Sequence, residues 1–132
     1  MKWEVREGLL YTPKHEWIKQ DGSEVTSGIT DYAQDMLKDI VYVELPELGR
    51  VVKAGESVAV IESVKAVSDA YSPVDGVIKA VNELLLDQPE LLNQDPYGAG
   101  WIVKVEIAAG YVNPDLMDMK AYITLLEREE ES

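Results

Sequence analysis

Few side chains in this 132-residue chain could do chemistry unaided. It has no cysteine, which removes disulfide frameworks, thiolate metal sites and thiol nucleophiles together. The single histidine, His15, cannot build a multi-histidine metal centre. It stands beside Glu16 in "TPKHEW", an order that could pair a general base with an orienting carboxylate. Neighbours in a strand point to opposite faces, so the two are expected to work apart, and His15 is read as structural. G-x-S-x-G, P-loop and G-x-G-x-x-G patterns are absent, and "GAGW" at 98–101 reads as a loop entering a strand. A self-sufficient catalyst is not expected, and no residue is assigned a catalytic or metal-binding role. One cation is oddly placed: Lys65, in "AVIESVKAVSDAYSPVDG". It is either an ordinary solvated lysine or a handle for covalent attachment. Local patterning does not separate the two, because "SVKA" holds no Gly, Pro, Asn or Asp to mark a turn.

The elements that must position these residues are mostly strands. "IVYVELP" alternates Val41, Val43 and Leu45 against Tyr42 and Glu44, and "WIVKVEI" alternates Val103, Val105 and Ile107 against Lys104 and Glu106. Period-two patterning with one wet face predicts antiparallel pairing. "SVAVIES" is apolar on both faces up to Glu62 and is expected to lie deeper; "GVIKAV" is a further strand. "QDGS", "PELG", "KAGE", "SPVDG" and "NQDPYGAG" supply turns. Pro46 and Gly49 lead into "VVKA" as Pro73 and Gly76 lead into "VIKA", an echo that fits two similar half-barrels. "TDYAQDMLKD" predicts a short helix capped by Thr30, with Ala33, Met36, Leu37 and Ile40 on one side. A second helix is expected from an Asn113 cap, with Pro114 and Asp115 in its first turn and a stripe of Leu116, Met119, Ile123 and Leu126 over 113–128. Residues 129–132 are expected to fray. The chain is read as one domain, with a β core over about 11–112.

The composition is strongly acidic, with 12 Lys and Arg against 25 Asp and Glu and a formal net charge of −13. That disfavours nucleic acid as a partner and suits solubility or a basic docking face. The N-terminal residues lack a signal-peptide core, and no apolar run is long enough to span a bilayer. No membrane association is expected. A monomer in the cytoplasm is the expected state, or in the mitochondrial matrix for a mature eukaryotic form.

The motifs "YTPKHEW", "GITDYAQ", "ESVKAVSDAYSP" and "NQDPYGAGW" occur in that order. Together, over roughly Tyr11 to Val105, they closely resemble the H protein family of the glycine cleavage system. The resemblance implies a mainly β, flattened barrel-sandwich hybrid of two antiparallel sheets, with a short internal helix and a C-terminal helix. It places Lys65 at a hairpin tip and implies lipoic acid joined to it by an amide. It implies a carrier without catalysis of its own, loaded with an aminomethyl group by a pyridoxal-phosphate glycine decarboxylase. A tetrahydrofolate-dependent aminomethyltransferase unloads it, and dihydrolipoamide dehydrogenase reoxidises it. Glu62 would help a lipoylating enzyme recognise the hairpin. Glu16 and Asp69 match positions at a cleft that shelters the loaded arm, where a carboxylate favours a cationic amine. Met36 and Lys14 depart from some relatives, and Lys14 would repel such a cation. A lipoyl carrier serving sulfur oxidation, or relaying lipoyl groups, is the alternative on the same fold. Biotin is disfavoured, since Val64 and Ala66 flank the lysine instead of methionines.

Overall fold

The computed structural model describes residues 2–131. Nine strands and four helices follow one another as β1 (Leu10–Tyr11), β2 (Glu16–Asp21), β3 (Glu24–Ile29), α1 (Asp31–Leu37), β4 (Ile40–Glu44), β5 (Val51–Val52), β6 (Ser57–Ser63), β7 (Val67–Tyr71), β8 (Gly76–Val81), α2 (Leu84–Asp87), α3 (Leu91–Gln94), β9 (Val103–Glu106) and α4 (Met119–Glu131). The strands form two antiparallel sheets, one ordered β1-β2-β3-β9-β8-β5 and one ordered β4-β6-β7. The fold is mainly β, as expected. Their facing sides bury Ile18, Val25, Val43, Val58, Ile61, Ile78 and Val105 in one core. A second, aromatic core of Trp3, Tyr11, Trp17, Tyr97, Tyr122 and Leu126 lies under α4. No helix among the described residues is long and apolar enough to cross a membrane.

The "VVKA" and "VIKA" echo is a pair of strands that meet: Val51 lies opposite Val77 and Val52 opposite Gly76. The alternation read for β9 holds, with Val103 and Val105 buried and Glu106 exposed. That read for β4 does not hold throughout. The ladder shifts between Ile40 and Tyr42, a bulge that leaves Val41 55% exposed while Val43 stays buried.

Thr30 caps α1 by accepting from the Ala33 N–H, but the helix stops at Leu37. Lys38 takes a left-handed φ of 66° there, so Ile40 belongs to β4 and not to the helical stripe. "ELLLDQPELLNQ" forms the two single-turn helices α2 and α3, which sequence periodicity does not reveal.

The C-terminal helix starts at Met119, six residues after its predicted cap. Asn113 is committed elsewhere: its Nδ2 donates to the Pro73 carbonyl at 2.7 Å and its Oδ1 accepts from the Asp115 N–H at 2.9 Å. Met117 is extended and exchanges both backbone hydrogen bonds with Tyr11, each 2.8 Å. Asp118 accepts from the Ala121 N–H and opens the helix. Leu116 therefore packs against the main core instead of lying on the helix. The helix runs on to Glu131, so Glu129 and Glu130 are helical where a frayed tail was expected. Ser132 lies outside the described residues.

Candidate functional site

Lys65 stands at the tip of the β6–β7 hairpin. Ser63 closes the turn without Gly, Pro, Asn or Asp. Its N–H donates to the Ala66 carbonyl at 2.8 Å, and its Oγ accepts from the Lys65 and Ala66 N–H groups at 3.2 and 3.0 Å. A serine hydroxyl bonded to the backbone two residues on is a known turn device, and it is the signal available in "ESVKA". The tip also rests on the end of α1, where the Val64 N–H donates to the Asp39 carbonyl at 3.0 Å. Lys65 is exposed, and its ammonium donates to the Met36 carbonyl at 3.4 Å. Among the described residues it makes no ion pair.

Cross-strand pairs share a face, so the ladders define the outer side of the three-stranded sheet. Tyr42, Glu62 and Val67 form one row below the tip; Glu44, Val60 and Asp69 form the next. Glu62 is half-buried. Asp69 is exposed and accepts from Ser57 Oγ at 2.8 Å. Along β7, Val67, Asp69 and Tyr71 point the same way, a track from the tip to the far end of the strand. Six residues at roughly 3.3 Å each make that track about 20 Å long.

The track ends at a cleft of about 460 Å³. Lys14, Glu16, Tyr71, Pro73, Asn113 and Asp115 contribute to its walls. Glu16 is 3% exposed. Its Oε1 accepts from Thr12 Oγ1 at 2.5 Å and its Oε2 from the Tyr71 N–H at 3.2 Å, so it ties β2 of one sheet to β7 of the other. Burial pushes its carboxyl above the usual glutamate range, against the pull of Thr12, the Tyr71 N–H and Lys14. Lys14 extends over the Tyr71 ring, Nζ 5.8 Å from its centroid. Of the two acids predicted for the cleft, Glu16 lines it. Asp69 stands on the track leading to it and does not line it. Asp115 and Tyr71 are cleft residues that the sequence did not single out.

His15 points away from Glu16, as expected, though for a different reason. It sits in the turn before β2 with a φ of 70°, not in a strand. Its Nδ1 lies 2.9 Å from the Tyr122 hydroxyl, and its Nε2 lies 3.2 Å from Glu129 Oε2. Burial holds the ring below the ordinary histidine range, partly offset by Glu129.

The model of the family described as "Glycine cleavage H-protein" matches residues 9–129. A glycine cleavage system H protein from Rubrobacter xylanophilus is 50% identical over 127 residues, covering 96% of this chain and 98% of that protein. The one from Halothermothrix orenii is 52% identical over 126 residues, with the same coverage of each chain. A crystal structure of a glycine cleavage system H protein from Mycobacterium marinum superposes with a TM-score of 0.86 at 37% identity, covering 93% of this chain and 99% of that one. With its lysine-tipped hairpin, two antiparallel sheets and near full-length matches, the chain belongs to the glycine cleavage H-protein family.

Proposed function

We propose that this protein is the lipoyl-bearing carrier of a glycine cleavage system, with lipoic acid amide-linked to Lys65. It would shuttle an aminomethyl group from glycine decarboxylase to the tetrahydrofolate-dependent aminomethyltransferase and be returned to the oxidised state by dihydrolipoamide dehydrogenase. The observation that carries this reading is an exposed amine with no ion-pair partner among the described residues, held at a hydrogen-bonded hairpin tip. The residues present fit the group: the amine is free to be acylated, and a cleft opens at the far end of the same strand. Lipoate supplies a redox-active disulfide, chemistry that a chain without cysteine lacks.

The protein's own part is presentation and shelter. Ser63 fixes the tip. Glu62, half-buried in the first row below the tip of the same hairpin, offers a carboxylate for the lipoylating enzyme to recognise. Acylation removes the Lys65 charge and with it the charge-assisted bond to the Met36 carbonyl, which frees the side chain to leave α1. A lysine with a lipoyl chain spans about 15 Å, taking twelve bonds of roughly 1.5 Å in zigzag. From Lys65 that reaches past Asp69, about 13 Å along the track, and brings the end of the arm within about 5 Å of Tyr71 at the cleft. Asp69 beside the track and Glu16 in the cleft favour a cationic cargo, and Lys14 opposes it.

Intact mass of the protein from its native source tests the reading. A lipoyl-amide increment that disappears in Lys65→Arg is expected. An unmodified Lys65 at full occupancy beside an active lipoylation system would overturn it.

A further inference from the structure

The turn that aims Glu16 into the cleft is strained, and the strain is held from outside. Thr12 to Glu16 close on themselves: the His15 N–H donates to the Thr12 carbonyl, the Thr12 N–H to the Glu16 carbonyl and the Glu16 N–H to Thr12 Oγ1. This requires His15 to sit in the left-handed region, which a non-glycine residue occupies at a cost unless its surroundings enforce it. The enforcing groups come from two helices. Tyr32 of α1 lies against the imidazole at 4.5 Å between centroids. Tyr122 and Glu129 of α4 bind its two nitrogens.

Donor accounting gives the network one direction. Glu129 faces Nε2, so Nε2 carries the proton, and Nδ1 must accept from the Tyr122 hydroxyl. The Tyr122 oxygen then accepts from Thr30 Oγ1, 2.7 Å away. Glu129 also receives the Tyr32 hydroxyl, whose pKa is pushed up to about 12, first by burial and then by that carboxylate. No spare donor or acceptor is left for His15 to relax without breaking a bond.

We propose that α4 acts on the cleft from behind: through Tyr122 and Glu129 it locks His15, and His15 is a positioning residue that holds the Glu16 carboxylate on the Tyr71 N–H. This extends the arm-sheltering role proposed above and rests on it for its biological use. The geometry itself concerns the unmodified chain. The charged and titratable groups around Glu16 are Lys14 on its own turn, Tyr71 from β7, and Asp115 from the loop after β9.

Nuclear magnetic resonance of the labelled, unmodified protein tests this with two probes, the hydrogen-exchange rate of the Tyr71 amide and the titration of the Glu16 carboxyl carbon. Tyr122→Phe and Glu129→Met each remove one anchor and nearly keep the volume, methionine offering His15 no strong acceptor. Each is expected to speed Tyr71 exchange about tenfold, the scale of one lost hydrogen bond, and to move the Glu16 midpoint toward that of a solvated glutamate. Amides elsewhere, such as Ile78 bonded to Arg50 and Ile102 bonded to Ser27, should not change. His15→Gly should abolish the effect of Tyr122→Phe, because glycine needs no lock at this φ. The proposal is overturned if Tyr71 and Glu16 stay put in both variants, or if Ile78 and Ile102 speed up equally. Because the arm is absent from these samples, a negative result leaves the sheltering role standing. Failure of a lipoylated, aminomethyl-loaded sample to hold its cargo longer than free aminomethyl-dihydrolipoamide does would remove that role and leave the lock intact.

Discussion

Ser63→Ala isolates the device that presents Lys65. The substitution removes one acceptor that serves the Lys65 and Ala66 N–H groups, and a hydroxyl that donates to the Ala66 carbonyl at 3.2 Å. The backbone bond from Ser63 to Ala66 remains. Each lost bond contributes about 0.5–1.5 kcal/mol net, and water competes for these groups at the exposed tip, so the total falls near 1–1.5 kcal/mol for the turn. That multiplies the population of open tip about tenfold. Amide exchange at Lys65 and Ala66 should rise by that factor, with little change in thermal midpoint, because the tip buries almost no apolar surface. Lipoylation should slow about twofold for a wild-type tip that is open about a tenth of the time, following the fraction of tip still closed. Unchanged exchange would mean that the Ser63 bonds contribute nothing. Faster exchange with an unchanged lipoylation rate would mean that the enzyme does not read the turn.

Other consequences are equally direct. In Gly76→Ala the new Cβ would meet the Glu106 carbonyl oxygen and Val105 Cγ1 at 2.6 Å or less. Since β8 cannot move without losing its pairing to β9, about 1–3 kcal/mol of stability should go, seen as a drop of several degrees in the unfolding midpoint by circular dichroism. His15 has a folded pKa below its unfolded value of 6.5, so the native state binds fewer protons. Stability should fall as pH drops through 6.5 toward the folded pKa, and urea midpoints of His15→Asn, which tolerates the backbone angle, should lack that decline. Glu16 acts in the opposite sense. Its folded pKa lies above 4.5, so the native state keeps its proton longer and stability should decrease as pH rises above 4.5; Glu16→Gln should remove that slope. In Asp69→Asn the side-chain oxygen can still accept from Ser57, so the variant tests charge alone: the aminomethyl-loaded form should decay faster while lipoylation is unaffected, and an equal lifetime would exclude Asp69 from sheltering the cargo.

What could be read from the sequence divides along the range of the contacts involved. β9 was legible because its alternation depends only on which face is wet: it pairs with β3 in unbroken register, and the irregularity in its pairing with β8 falls on β8, between Ile78 and Ala80. The bulge at Val41 was not, since it arises from pairing with β6. Asn113 carried a sound capping signal, yet the Pro73 carbonyl, 40 positions away in sequence, claims its side chain. Tyr122 stood outside the predicted stripe because it is an aromatic with a polar end, and its burial makes sense only once Thr30 and His15 meet its hydroxyl. The same division runs through the site. Lys65 was placed at a tip by family resemblance, although Ser63 held the local cue. Glu16 was expected near the cleft, but its burial depends on a threonine four residues earlier and an amide 55 residues later. The proposed attachment point is therefore a local feature, which a short motif can carry. The cleft is a product of both sheets and the C-terminal segment, so its chemistry is set by residues such as Asn113 and Asp115 that no motif in the hairpin contains. Two proteins with the same "ESVKA" motif can thus share an attachment site and differ in how long they shelter what it carries.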